Sequence, residues 1–551
     1  MHMQRYQKPI VVILCLIFIT LFLYNTKQDF RLIFKKDLLA HDESSNSVVA
    51  ANITRKFFPP MVRVNPLNEQ QGNWMEGPYW QHIPPMFAYV PYLFFKLDGQ
   101  VTIEVKRLSF ALVTLLTGLL FIYSVYQFRK SLVAAIAATA AAIFWIGTPF
   151  THELITGYAF GVSDIVLAFT VVASFGAVLW YLAKEKETRL DYPGWKLVLI
   201  ALIVALPIIA KNLLGAIPAA TFFILLLRDF RTINKRVLFA SITFVAILAS
   251  YYLPFYISSP ETFKNEILVS FLHFKKLEGW NRPWHFYLTN YLPQRYLGHW
   301  TWWYFEGLIF GLGIWTLKSK IWDRKDKILL GLSLGWFVWN LIAISLVTSK
   351  VPNFIYQSYL LSLFFIVYSL CLVLKQLFPS PLWRGIKGGG GIIILGMLTV
   401  SFFVTGYEIV RFAQHFKFMR AQAYHYETER EKFYQVAEKM RQSGVNAKDL
   451  VIVHISDNDC WARYPILFLT GAESKTLLEM HFNTVPAVRI QKKYNKVYFL
   501  DKDYSFREFN INSLSSILSA SESEIQANII RIKKDKTSCQ WLVPDPILNA
   551  P

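Results

Sequence analysis

The stretch GYAFGVSDIVLAFTVVASFGAVLWYLAKEKETR, residues 157–189, decides the fold. From Val162 to Leu182 it is nearly all apolar, long enough to cross the roughly 30 Å hydrocarbon core of a bilayer as a helix. It closes on Lys184 to Arg189, KEKETR, a charged run whose lysines and arginine mark a cytoplasmic end. One acid, Asp164, opens the span, and an ionisable group at such a depth is costly enough to mark function by default.

The chain on either side repeats this pattern. Pro9–Tyr24 follows Arg5 and Lys8 and, with no small-residue cleavage site behind it, reads as an uncleaved anchor with its N-terminus inside. Phe110–Phe128 runs into Arg129 and Lys130. Val133–Phe150 returns outward. Leu197–Ala210 and Leu213–Leu227 are two short apolar pieces interrupted at Lys211 and Asn212, and the second meets RDFRTINKR. Val237–Ile257, Trp303–Leu317, Ile328–Val347, Phe354–Leu374 and Ile392–Tyr407 complete about eleven spans, alternating with basic loops as the positive-inside rule requires. The linker LWRGIKGGGG is basic and Gly-rich.

Composition agrees. The 551 residues are 54% hydrophobic and only 17% charged, against roughly 25% charged in soluble domains. The net charge of +20 sits mostly in short loops, so it reports topology and anionic lipid rather than nucleic acid. The expected class is a polytopic α-helical membrane protein. Residues 1–408 form its spanning part, with a large first outer loop at 25–106 that carries juxtamembrane apolar pieces. Residues 409–551 form a C-terminal soluble domain outside the membrane. There LVIVHIS and KVYFLD read as short buried strands and Glu427–Arg441 as a charged helix, which predicts a small α/β fold. Cys15 and Cys371 lie in spans. Cys460 and Cys539 lie in the outer domain, where pairing or free thiols are both open. The Asn52-Ile53-Thr54 sequon reads as chance.

Several polar groups fall on the outer face. Asp42 and Glu43 follow the anchor, either as a base with its helper or as acids capping a helix at Glu43–Phe57. In YWQHIPPMFAYVPYLFF, Pro84 and Pro85 suit a helix start, with His82 just before its positive end. An interfacial aromatic belt accounts for the aromatics but not the prolines. Asp164 is a site carboxylate or a span-boundary cap. Lys211 is a ligand at an interrupted span or a snorkelling lysine. The loop GWNRPWHFYLTNYLPQRYLGHW sets Arg282, His285 and Arg295 among tryptophans and tyrosines, a mixture suited to phosphate and sugar as well as to a membrane interface. SKVPNFIYQSYLL adds Lys350 and Tyr356.

The order of these stretches carries more than any one of them. An Asp-Glu pair after the first span precedes HIPP (His82–Pro85), then Gly99, then Arg107-Leu108 before the second span. Next come an Asp opening the fourth span, KNLLGAIP, RPWHFYLTNYL and SKVPNFIY. From about Asp42 to Gln357 this resembles the polyprenyl-phosphate-sugar-dependent C-type (GT-C) glycosyltransferases. It looks most similar to the protein O-mannosyltransferases and the lipid A aminoarabinose transferases. The resemblance implies that Asp42, supported by Glu43, is the base for an acceptor hydroxyl. It implies that His82, Arg282, His285 and Lys350, with Lys211, hold the lipid phosphate, and that transfer inverts the sugar. His82 stands where the aminoarabinose enzymes carry Lys. A divalent metal is left open, since carboxylates are present but no spacing specifies it. The implied partners are a polyprenyl-phosphate-sugar donor, membrane lipid and an extracytoplasmic acceptor, and the implied location is a bacterial plasma membrane with the site facing out. The alternative is a transporter or flippase, which explains the spans, Asp164 and Lys211 but predicts a repeat symmetry that the sequence lacks. A structural or sensory membrane protein is the third class.

Overall fold

The computed structural model describes residues 2–27, 29, 33–34, 41–67, 86–156, 162–184, 192–230, 235–261, 263–264, 283–287, 311, 322–347, 352–377, 431–454, 463–482 and 486–535. The chain divides into two compact units: residues 1–33, 107–258 and 263–419, and residues 34–106, 259–262 and 420–551. Phe34 to Lys106, most of the expected first outer loop, falls in the same unit as Arg420–Pro551.

The first unit is helical. Among the described residues six helices are long and apolar enough to cross a membrane: Lys8–Thr26, Ile103–Arg129, Ser163–Leu182, Gly194–Asp229, Lys235–Ser258 and Arg324–Leu346. Leu132–Ile146 and Tyr356–Leu372 are shorter apolar helices. The predicted spans at 303–317 and 392–407 lie outside the described residues. Helix Leu132–Ile146 is rich in alanine and almost wholly buried. It packs against the N-terminal helix and Tyr356–Leu377, as small side chains permit where helices must approach closely in lipid. It ends at Gly147, short of the predicted Phe150, and a separate helix runs from Pro149 to Thr156.

The long segment Gly194–Asp229 is not one rod. Helix Gly194–Lys211 stops at Asn212, whose φ is +51°, and a 3₁₀ turn Asn212–Gly215 leads into Ala216–Asp229. A Cβ on Gly215 would overlap the Pro207 carbonyl, whereas eight residues along a continuous helix would separate the two by about 12 Å. The chain therefore doubles back at Lys211, as the interrupted apolar pattern implied. At the opposite helix ends Arg129 forks onto Asp326, Nε to Oδ1 at 2.6 Å and Nη2 to Oδ2 at 3.2 Å, and Tyr368 donates to the same Oδ1 at 2.5 Å. Two helix ends that the charge pattern assigned to one face thus meet.

The second unit is built on a four-stranded sheet of order β2-β1-β3-β4: β1 Leu450–Val453, β2 Glu473–Thr476, β3 Val497–Leu500 and β4 Phe506–Glu508. β1 pairs parallel with β2 and β3, Ile452 facing Lys475 and Phe499, and β4 is antiparallel to β3. LVIV and VYFL are unbroken apolar runs because both faces of a central parallel strand are covered. The parallel pairs require crossovers, supplied by helices Tyr464–Thr470, Leu477–Phe482 and Ala487–Lys493. The predicted charged helix is observed over residues 431–442. β2, ESKT, escaped the sequence reading because it is polar throughout, yet all four residues are buried. The core of Leu450, Ile452, Ile490, Val497 and Phe499 also contains Leu67 from the first loop, and Tyr494 donates to the Asn65 carbonyl at 2.8 Å.

Candidate functional site

In the first unit, the helix break brings three predicted stretches together. Asp164 lies in the first turn of helix Val162–Leu182 and is completely buried. Lys211, the last residue before the break, donates its ammonium to Asp164 Oδ1. The same Nζ sits 5.2 Å from the centroid of Phe354, in the 3₁₀ turn Pro352–Ile355 that opens helix Tyr356–Leu377. A cation over a ring face adds attraction in a dry setting. Lys carries three donors, so the ammonium has capacity beyond one carboxylate oxygen, and its side chain keeps 11% exposure.

Tyr356 is wholly buried. Its ring stacks on Trp145 at 5.2 Å and its hydroxyl lies 3.2 Å from Thr151 Oγ1. The Asp164 carboxylate acts electrostatically on both Tyr356 and Tyr287. Tyr287 is two residues past His285, which packs edge-on against Trp284. Gln357 fixes the turn by donating to Asn340 Oδ1 at 2.7 Å and to the Leu214 carbonyl at 3.3 Å. Asn340 in turn donates to Phe354 O and Ser358 Oγ. The sequence reading missed Asn340, whose signal was an amide inside the span Ile328–Val347. It also missed the buried pair of His152 Nδ1 and Asp29 Oδ2, 2.5 Å apart.

The other predicted residues are placed as follows. Asp42 and Glu43 fall in the first turn of helix His41–Arg55, which begins two residues before the predicted Glu43; their side chains lie outside the described residues. His82, Arg282 and Lys350 lie outside them too, as do Cys460 and Cys539. Helix Met86–Asp98 begins immediately after Pro85. Among the described residues no group of three His, Cys, Asp or Glu is gathered to hold a metal. Asn52 of the sequon is buried and donates to the carbonyls of Met61 and Val62.

The second unit holds a buried charge cluster. Arg63 pairs with Glu473, Arg463 with Glu479, and Lys475 with Glu479 at 3.1 Å and Glu473 at 3.9 Å. Among the described residues, three cations thus face two carboxylates. Glu473 and Lys475 share one face of β2 by strand alternation. Burial pushes the Lys475 amine down from its ordinary value, and Arg63 adds to that. For Glu479 burial works upward, but Arg463, Lys475 and Arg63 prevail and hold it well below the carboxylate range. Arg55, lowered to about 10 by burial, donates to the carbonyls of Phe468 and Leu469 at 3.1 and 3.3 Å.

The fold, with six described helices long and apolar enough to cross a membrane, is shared with solved structures of other proteins. ArnT from Cupriavidus metallidurans bound to undecaprenyl phosphate is similar with a TM-score of 0.54, over 88% of this chain and 93% of that one, at 13% identity. The oligosaccharyltransferase of Archaeoglobus fulgidus tethered with an acceptor peptide is similar with a TM-score of 0.51, over 90% of this chain and 69% of that one, also at 13% identity. At such identities the likeness is one of fold. No protein-family model matches the chain, and no curated protein sequence matches it.

Proposed function

We propose that the protein moves a sugar from a polyprenyl-phosphate donor to a hydroxyl of an acceptor outside the membrane. The observation that carries this reading is the fold shared, over most of both chains, with an ArnT that holds undecaprenyl phosphate. The buried Asp164–Lys211 pair at a doubled-back span supports it, since interrupted helices mark substrate sites in membrane proteins.

In the proposed reaction the acceptor oxygen attacks the anomeric carbon while the bond from that carbon to the phosphate oxygen breaks. The bonding pair leaves on the phosphate, and the acceptor proton passes to Asp42, with Glu43 in support. A phosphate leaving group needs positive charge rather than a general acid, and the hydroxyl needs a base. His82, Arg282, His285, Lys350 and Lys211 supply the positive charge. Asp164 orients Lys211, and Tyr356 supports the turn that carries Phe354. Direct attack inverts the anomeric centre. The acceptor is a protein, lipid A, or another glycolipid or polymer of the cell envelope, and the membrane is a bacterial plasma membrane with the site and the C-terminal region facing out.

The test is release of polyprenyl phosphate by purified protein given a panel of polyprenyl-phosphate sugars and a membrane extract as acceptor. Wild type releases it, and Asp42→Asn releases it only at a small residual rate. Release by both at the wild-type rate moves the base to another carboxylate, and release by neither, across all donors, removes the transferase reading and leaves transport to be assayed.

A further inference from the structure

Contacts within the second unit tie the helix that bears Asp42 to the C-terminal sheet.

 Arg55, at the last turn of helix His41–Arg55, donates to the final carbonyls of helix Tyr464–Thr470, where a cation also meets the negative end of the helix dipole. Gly471 closes that helix in the left-handed region, φ +74°, and a Cβ there would fall 2.6 Å from Arg55 Nε. Asn52 binds Arg55 Nη1 at 2.6 Å and holds the Met61 and Val62 carbonyls. Arg63 then reaches Glu473 of β2, and Leu67 enters the sheet's core. The face of the helix at Val48, Val49, Ala51 and Ile53 is buried, and the helix packs against Tyr464–Thr470 and Met86–Asp98.

We infer that Arg55 is a positioning residue for the transfer reaction: through its clamp on the Phe468 and Leu469 carbonyls, the C-terminal domain sets the place of Asp42. This rests on the proposed transferase reading. Asp42 lies thirteen residues from Arg55 on one helix, about 20 Å along its axis at 1.5 Å per residue. A tilt of about 3° at the Arg55 end displaces the first turn by about 1 Å, a misplacement that can cost roughly a hundredfold in rate. The C-terminal region is thus part of the catalytic frame rather than an appended acceptor-selecting module.

The test uses full-length protein in detergent and the polyprenyl-phosphate release assay, with Arg55→Met, Arg55→Lys, Gly471→Ala, Asp42→Asn and the Asp42→Asn/Arg55→Met double variant. Arg55→Met and Gly471→Ala are expected to lower kcat at least tenfold with the donor KM within twofold. Arg55→Lys, which keeps a donor for the carbonyls, recovers most of the rate. Because Arg55 acts through Asp42, the double variant turns over no more slowly than Asp42→Asn alone. Full activity of Arg55→Met, or losses that multiply in the double variant, would overturn the inference while leaving the transferase intact. Absence of release by wild type is a different result, and it removes the transferase reading itself.

Discussion

Replacing Glu473 by Gln and replacing Lys475 by Met are expected to have very different effects on the second unit, although both residues belong to one buried cluster. With Arg63, Arg463 and Lys475 facing Glu473 and Glu479, the described residues of the cluster carry one cation in excess. Lys475→Met brings those described cations and carboxylates to parity. It forfeits a 3.1 Å bond to Glu479, but Glu479 keeps Arg463 and the Thr476 amide, and Met fills the space of the lysine stem, so the cost is about 1 kcal/mol or less. Glu473→Gln removes the buried carboxylate that Arg63 pairs with. Arg63 cannot shed its proton, and breaking a buried pair by removing one partner costs about 3–5 kcal/mol. The escape route is neutralisation of Lys475. From its ordinary 10.5, that costs about 1.36 × 3.5, or about 5 kcal/mol at pH 7, the top of the same range. Amide hydrogen exchange in β1 and β3 of the full-length protein reads the difference. Glu473→Gln should speed exchange at Ile452 and Phe499 by about 10² to 10³ or more, and Lys475→Met by less than about tenfold. The pH dependence follows from the lowered Lys475: as pH rises towards 10.5, the folded unit gives up that proton before the unfolded chain does. Stability of the wild-type unit therefore rises with pH through the window ending at 10.5, and Lys475→Met removes that slope. Equal effects of the two substitutions would refute the charge-count argument.

Asp164→Asn and Lys211→Met are each expected to lower polyprenyl phosphate release at least tenfold. Their losses should fail to add in the double variant because the two groups are direct partners, and additive losses in the same assay would show that they act separately. Gly215→Ala should lose both thermal stability in detergent and binding of polyprenyl phosphate, because its methyl overlaps the Pro207 carbonyl and opens the turn that presents Lys211. Acid should weaken the second unit: the contribution of Glu479, held low by its cations, is fully present above the unfolded carboxylate value of about 4.3 and is lost as pH falls through the folded one. Following the β1 amides by hydrogen exchange through that range checks it.

The helical membrane class was legible in the sequence because bilayer thickness imposes a length on every span and charge imposes an orientation on every loop. The interruption at Lys211 and Asn212 was legible for the same reason: two charged or polar residues divide an otherwise apolar run. The two central strands were visible as LVIV and VYFL, since burial on both faces leaves an unbroken apolar signature. Order along the chain also singled out Asp164, Lys211 and Tyr356, and the folded unit brings the first two into contact and sets Tyr356 within the field of the same carboxylate. What no local pattern contained were the pairings between distant residues. β2 is polar in every position, and its Glu473 is buried against Arg63, 410 residues away along the chain. Arg55 reads as an ordinary helix-end cation until Phe468 and Leu469 are placed beneath it. Spans and central strands are fixed by burial, which each segment records in its own composition. Buried ion pairs depend on the geometry of two segments at once, so only the tertiary structure decided that the first outer loop shares its core with the C-terminal sheet.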